Sequence, residues 1–355
     1  MRRVGVVLAV AGALAWPAVA AGPVRADDAA RAEATFRSME RYFYDARAGD
    51  YRDIVGRPAG SHAWPFSQAL GAHIAIAAVP ELAPQAAVRA RLRQLERRFR
   101  RGRTYSAWPG GAVYYDDNEW LAEDLLRWSR VSGDPSGRLR SAGVFAALTS
   151  AWDGSSADPC AGGVFWTTAP GNRDRNTVST ANAAVVALRL YAATHAPQYL
   201  TWSHRLLGWL DRCLRAPNGL YWDHIDLTGN VERTQWSYNQ GSVIAANVLL
   251  YDATGDTAAL AAAERIADAA LDQFDDEREP PEFAVVLFRS LLALADVDGR
   301  QRYAAAAEQY GATAWRTMRD ARTGLFRHGG RATLVQQGAF VQLYAELARR
   351  VTAAR

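Results

Sequence analysis

The sequence contains no lysine: all 41 of its Lys+Arg residues are arginine. That absence removes the P-loop lysine, the Schiff-base amine and the anchor for pyridoxal phosphate. Cysteine is scarce as well, with only Cys160 and Cys213. Neither falls in a Cys-x-x-Cys, and the six histidines form no His-x-x-x-His, so spacing offers no zinc site and calls for no cofactor. Runs of alternating β-branched residues are nearly missing. The only long apolar run, Val4 to Trp16, is too short to span a membrane.

That run belongs to a leader. Arg2 and Arg3 open it, and Ala18-Val19-Ala20 supplies an A-x-A cleavage pattern, with Val24-Arg25-Ala26 as a second option. This is the anatomy of a secretory signal peptide over residues 1–26, so the mature protein is expected to be exported. Export permits a disulfide, and two cysteines allow one pairing. Removing the leader takes three arginines and no acid, so the formal charge falls from +4 to +1. A nucleic-acid partner, which wants a strongly basic domain, loses its support. One basic patch remains from Arg89 through Arg91, Arg93, Arg97, Arg98, Arg100, Arg101 and Arg103. It reads either as a solvated helix face over Leu92, Leu95 and Phe99, or as a surface weakly attracted to an anionic envelope.

What is present is helix. With 49% hydrophobic and 22% charged residues, the chain can bury a sizeable core. Apolar residues recur at three- and four-residue steps, as at Val185, Leu188, Tyr191 and Ala192. Helical pairs are punctuated by Val131-Ser132-Gly133-Asp134-Pro135, Ala193-Thr194-His195-Ala196-Pro197, Ala253-Thr254-Gly255-Asp256 and Asp296-Val297-Asp298-Gly299, with a looser copy at Val79-Pro80-Glu81-Leu82. Their spacing, 43 to 62 residues, divides residues 27–355 into about six units. It is too irregular for a consensus solenoid. An all-α fold is therefore predicted, an (α/α)6 toroid of six helical hairpins in one domain, residues 27–355, expected as a monomer.

The loops between units carry Trp108, Tyr114, Tyr115, Trp120, Trp152, Trp166, Trp222, Trp236 and Tyr238. Singly, each tryptophan suits core packing. Together with carboxylates they suggest a carbohydrate cleft, since indole stacks on the C–H face of a sugar ring. The richest stretch runs from Trp108 to Trp120 and contains Asp116-Asp117-Asn118-Glu119. At a helix start, Asp116 and Glu119 are spaced as a capping box. The same geometry suits a glycosidase pair: carboxyls about 5–5.5 Å apart serve retention and about 6.5–9.5 Å inversion. Close carboxylates also resist joint ionisation, which keeps one proton available at neutral pH. Asp275-Asp276-Glu277 is a rival, but it lacks neighbouring aromatics and reads as an exposed helix end.

The stretch Tyr114-Tyr115-Asp116-Asp117-Asn118-Glu119-Trp120 resembles the signature of glycoside hydrolase family 76, the endo-α-1,6-mannanases. Cys160-Ala161-Gly162-Gly163-Val164-Phe165-Trp166 is similar to that family's Cys-Gly-Gly-Gly-x-x-Trp. Trp236-Ser237-Tyr238-Asn239-Gln240-Gly241 is similar to its Trp-Thr-Tyr-Asn-Gln-Gly, and Phe283 to Arg289 resembles its late Phe-Lys-Gly-x-x-x-Arg. The matches stand in the family's order over roughly residues 105–290. The resemblance implies a six-hairpin ring, Asp116 as nucleophile and Asp117 as acid/base of a retaining α-1,6-mannanase. It also implies that Trp236, Tyr238, Asn239 and Gln240, with Tyr115 and Trp166, line the cleft around a bound α-mannan. Departures at Ala161, Ala284-Val285 and around Arg175 to Asn182 leave the pair intact and alter the subsites. Transglycosylation and a catalytically silent carbohydrate-binding ring are the alternatives. A toroid epimerase would want paired histidines in Trp/Gly contexts, and only His224, in Tyr-Trp-Asp-His, has a cleft-like setting.

Overall fold

The computed structural model describes residues 24–79, 85–274 and 279–353. The leader's run and first cleavage option, and Asp275-Asp276-Glu277, lie outside them. Twelve helices of 14 to 20 residues occur among the described residues. Six form an inner ring: α2 (Ala63–Ala77), α4 (Tyr115–Ser132), α6 (Thr177–Thr194), α8 (Ser237–Thr254), α10 (Pro281–Asp298) and α12 (Leu334–Ala353). Each inner helix packs on the next, and α12 packs back on α2, so the ring closes. The outer helices are α1 (Val24–Phe43), α3 (Gln85–Arg98), α5 (Ser136–Ser150), α7 (Pro197–Cys213), α9 (Thr257–Gln273) and α11 (Gln301–Thr317). Five hairpins are consecutive. The sixth is assembled from the two ends of the sequence, α1 against α12. The architecture is the (α/α)6 toroid.

Burial explains the composition of the two layers. Inner helices are covered on nearly every side; α6 is buried almost continuously from Thr177 to Leu190, polar residues included. Outer helices bury one stripe, such as Ala259, Ala263, Ile266, Ala267 and Ala270 of α9. The inner-to-outer turns that follow α4, α6, α8 and α10 are the predicted Gly/Asp/Pro copies; Pro80-Glu81-Leu82 of the looser copy lies outside the described residues. Gly133, Gly255 and Gly299 take φ of 73°, 73° and 71° at helix C-caps, where the left-handed conformation favours glycine. His195 occupies the same position at φ 54°. Asp256 then accepts from Ala258 N–H at 2.9 Å to start α9. At Gly241 the α8 and α10 backbones approach so closely that a Cβ would sit 2.8 Å from Leu287 Cα.

The opposite rim differs. There the outer helices return to the next inner helix through longer loops, several of which form small hairpins that the sequence pattern does not announce. Tyr44 pairs with Tyr51, Arg100 with Tyr105, Arg215 with Tyr221 and Arg319 with Phe326. The cysteines pair: Cys160 and Cys213 are disulfide-bonded with Cα atoms 5.9 Å apart, tying the α5–α6 loop to the end of α7.

The arginine patch is largely the solvated face expected: Arg89, Arg93, Arg97, Arg100, Arg101 and Arg103 are exposed. Leu92, Leu95 and Phe99 are buried as expected, but so is Arg91. Arg91 lies 3.8 Å over the Tyr44 ring, donates to Tyr51 Oη at 2.9 Å and pairs with Glu40 at 3.2 Å. Arg98 pairs with Asp50 and donates to Ser61 O, and Arg101 donates to Gly111 O. Arg91 and Arg98 alone of the patch turn their charge into the fold. No described helix is long and apolar enough to cross a membrane.

Candidate active site

The N-terminal ends of the inner helices converge on a cleft of about 760 Å³ at the long-loop rim. Asp116 and Asp117 reach it from the first turn of α4, where the helix dipole favours negative charge. Three features of the loop fix their place. Asn118 grips the preceding hairpin, accepting from Tyr105 N–H at 2.7 Å and donating to Tyr105 O at 2.8 Å and Tyr114 O at 2.7 Å. Val113 O accepts from Thr168 N–H and the Thr167 hydroxyl, and Tyr115 N–H donates to Trp166 O at 2.8 Å. These bonds bring Trp166 onto Asp116, to which its indole N–H donates at 3.2 Å.

The two carboxyls have different surroundings. Asp116 Oδ2 accepts from Trp166 and Oδ1 from the Asp117 N–H at 3.1 Å. Among the described residues no hydrogen bond to the Asp117 carboxyl is seen. Burial raises the pKa of both; the donors on Asp116 pull its rise back, whereas the Asp116 charge drives Asp117 higher still. The protonation order follows: Asp116 ionises first and Asp117 keeps its proton.

The expected capping box is not formed. The N-cap of α4 is Tyr114, which makes no side-chain cap bond. Glu119 faces the interior, fully buried with neither carboxyl oxygen partnered. Burial, with Asp116 nearby, holds it protonated well above the ordinary glutamate range.

The residues expected around the cleft divide. Trp166 and Tyr238 line it. Tyr115 turns to the core, and its neighbour Tyr114 lines the cleft instead, edge-on to Trp166 at 5.0 Å. Trp236 stands behind the wall, stacked on Tyr238 at 6.3 Å and edge-on to Phe283 at 5.7 Å. Asn239 and Gln240 are fully buried. Gln240 accepts from Tyr221 N–H at 2.8 Å and donates to Tyr221 O and Trp236 O, each at 3.0 Å. Asn239 donates to Asp223 Oδ1 at 3.0 Å. The helical period decides this split: of four consecutive residues entering α8, one faces the cleft and the others the ring.

Asp223 is the main residue that the sequence pattern did not single out. It lies in the cleft beside His224, whose Nδ1 is 2.9 Å from Asp223 Oδ2. The Tyr238 hydroxyl lies 3.5 Å from Asp223 Oδ1, and Asp174 lies 3.8 Å from His224 Nε2. The hydrogen bond to Asp223 raises the His224 pKa, with Asp174 adding to it. A three-stranded sheet of Arg175–Asn176, His224–Ile225 and Val231–Glu232 carries this cluster. Arg175, wholly buried, anchors it through Asp153 at 2.7 Å, Pro159 O at 3.0 Å and Asp226 O at 2.7 Å. The Asp-His dipeptide between two aromatics and a Gly turn was the available signal.

A cleft walled by Trp166, Tyr238 and Phe283, with two neighbouring carboxyls whose surroundings push their pKa values apart, is equipped to stack sugar rings and exchange a proton across a glycosidic bond. The family described as glycosyl hydrolase family 76 matches residues 27–284. Two curated relatives are named mannan endo-1,6-alpha-mannosidase DCW1. That of Candida glabrata is 30% identical over 121 residues, 32% of this chain and 26% of the relative; that of Saccharomyces cerevisiae is 31% identical over the same shares. The chain thus matches about a quarter of the length of these relatives. Among solved structures, a family 76 mannosidase from Bacteroides thetaiotaomicron superposes with a TM-score of 0.84 at 22% identity, covering 93% of this chain and 100% of that one. An inactive variant of an α-1,6-mannanase from Salegentibacter, with two consecutive aspartates replaced by asparagine and α-1,6-mannotriose bound, superposes at 0.76 and 20% identity, covering 91% and 99%. These two likenesses bear on the fold.

Proposed function

The chain belongs to glycosyl hydrolase family 76, and from that premise we propose that it is an exported, retaining α-mannanase cleaving α-1,6-mannosidic linkages. Residues 27–355 would be its one catalytic domain, freed from the leader. The observation that carries the reading is the Asp116–Asp117 pair: adjacent in the cleft, one carboxyl accepting from two N–H donors, the other from none among the described residues. The two consecutive aspartates replaced in the inactive mannotriose-bound relative lend it support.

The chemistry then runs in two steps. Asp116 attacks the anomeric carbon, the glycosidic C–O bond breaks, and Asp117 gives its proton to the departing oxygen. A glycosyl ester on Asp116 results. Asp117, now a carboxylate, takes a proton from a water that attacks the same carbon. The ester breaks, and both carboxyls regain their starting states. Trp166 and Tyr238 offer faces for the sugar, and Asp223 and His224 offer partners for its hydroxyls.

Product analysis on linear α-1,6-mannan tests this, with Asp116→Asn and Asp117→Asn beside the wild type. Short mannose oligomers are expected from the wild type, released first as the α-anomer, and each variant should lose about 10²–10⁴-fold in rate. Longer oligomers built from shorter ones would identify a transglycosylase. Tight binding with unchanged mannan would overturn the hydrolase.

A further inference from the structure

The ring has a second cavity, of about 690 Å³, toward the C-terminal ends of the inner helices and away from the catalytic pair. Gln68, Trp120 and Val286 line both spaces and form the partition between them. The second cavity is dominated by guanidinium groups: six arginines line it against four carboxylates. The acids are already engaged. Glu346 is shared by Arg289 at 2.6 Å and Arg127 at 3.6 Å, Glu123 pairs with Arg189 at 3.3 Å, and Asp296 with Arg350 at 2.8 Å. Asp124, near Arg127, is pushed by burial up to about 7, which further thins the negative charge.

The unsatisfied atoms point the same way. The buried polar groups of this lining that lack a partner among the described residues are Nε of Arg289, Nδ2 of Asn182 and Oγ of Ser242. All three can donate, and Asn182 and Ser242 are each 1% exposed. Buried donors are nearly always matched, so a cavity with this surplus wants an acceptor. The helix carbonyl ends do not meet the demand. Asn182 and Ser242 sit in the second turns of α6 and α8, far from their C-termini, where the helix dipole no longer reaches.

We propose that this rear cavity is a binding site for a phosphate-type oxyanion, free or as a monoester. Its oxygens can accept from the Nε–H that Arg289 leaves beside its Glu346 pair and from Asn182 and Ser242 on the inner side, and Arg130, which makes no ion pair among the described residues, lines the cavity from α4. The site is separate from the catalytic pair, so its occupancy is independent of the mannanase reading.

Calorimetric titration of the full-length mature protein with inorganic phosphate and with glycerol 3-phosphate, at ionic strength matched with chloride, tests the site. Saturable one-to-one binding of either is expected, at least about tenfold weaker in Arg130→Gln and in Asn182→Ala. It should be unchanged in Arg316→Gln, which alters an exposed arginine on outer helix α11. Phosphate alone would identify a site for the free ion, and both ligands one that tolerates an ester. Absence of saturable binding in a folded protein would overturn the proposal, as would binding that the two cavity variants leave intact.

Discussion

Donors on one carboxyl, the Trp166 indole foremost, separate the roles of two chemically identical neighbours. Trp166 donates to Asp116 and nothing comparable reaches Asp117, so the pair shares its proton unevenly. Trp166→Phe keeps the aromatic face and removes the donor. The Asp116 pKa then rises further, and the acidic limb of the kcat/KM profile should move up by about one pH unit, with roughly tenfold lower activity at pH 5. An unmoved limb would sever this link. Glu119 gives a second test. Its pKa is raised in the folded state, so burying it carries no added pH-dependent cost below the unfolded value near 4.3 and a progressively larger one above it, until the folded group ionises. Glu119→Gln should therefore match the wild type in stability at pH 4. Its advantage should grow by about 1.4 kcal/mol per pH unit above that, read from melts at pH 4 and pH 8. A pH-independent difference would contradict the assignment. Asp116 and Asp117 were legible because the chemistry lies in consecutive residues. Asp223 was not, because only folding carries it to the pair.

At the level of elements the ring repeats one device that no sequence motif displays. The fourth residue of three inner helices, Asn118 in α4, Gln240 in α8 and Gln337 in α12, is a carboxamide that grips the N–H and C=O of one residue in the hairpin before it. Tyr105, Tyr221 and Phe326 are the gripped residues, each the partner of an arginine across its hairpin. Thr180, fourth in α6, accepts from Val164 N–H at 3.1 Å in the same way. Gln240 therefore belongs to the scaffold that aims the cleft walls, while Asn239 holds the cleft residue Asp223 from behind. Gln337→Ala strips a hairpin of its clamp, leaves two buried backbone groups unpaired, and should cost about 2–4 kcal/mol in denaturant melts. Because neither Phe326 nor Gln337 lines the cleft, kcat/KM at a temperature where the variant is folded should stay within a few-fold. Asn118→Ala should cost similar stability and lower kcat/KM sharply, since the same clamp sets the register of Asp116 and Asp117. Equal kinetic effects in both would show the clamps to be purely structural. The inner-to-outer turns were readable from Gly, Asp and Pro. The hairpins at the other rim were not, because pairs of one or two residues carry no period.

For the whole molecule, the ring closes by joining the sequence's two ends, α1 on α12, a contact that no local pattern reports, although counting turns had called for six units. Within that ring the α5–α6 loop has the longest reach, from the outer layer to the cleft. It is fastened at its outer side by Cys160–Cys213, and Cys160 O accepts from the Trp209 indole at 2.9 Å and from Arg175 at 3.2 Å. The same segment then delivers Trp166 to Asp116. Breaking the disulfide therefore acts at two distances. By chain entropy, a cross-link 53 residues apart is worth about 4 kcal/mol, so a Cys160→Ser, Cys213→Ser variant should be less stable by roughly 2–4 kcal/mol. Loosening the loop also frees Trp166, so the surviving folded enzyme should show the raised acidic limb of Trp166→Phe without any change in the cleft's own residues. Measuring the kcat/KM profile of the double serine variant well below its melting temperature checks this. A loss of stability with an unshifted profile would mean that Arg175, wholly buried, holds the loop without the disulfide's help.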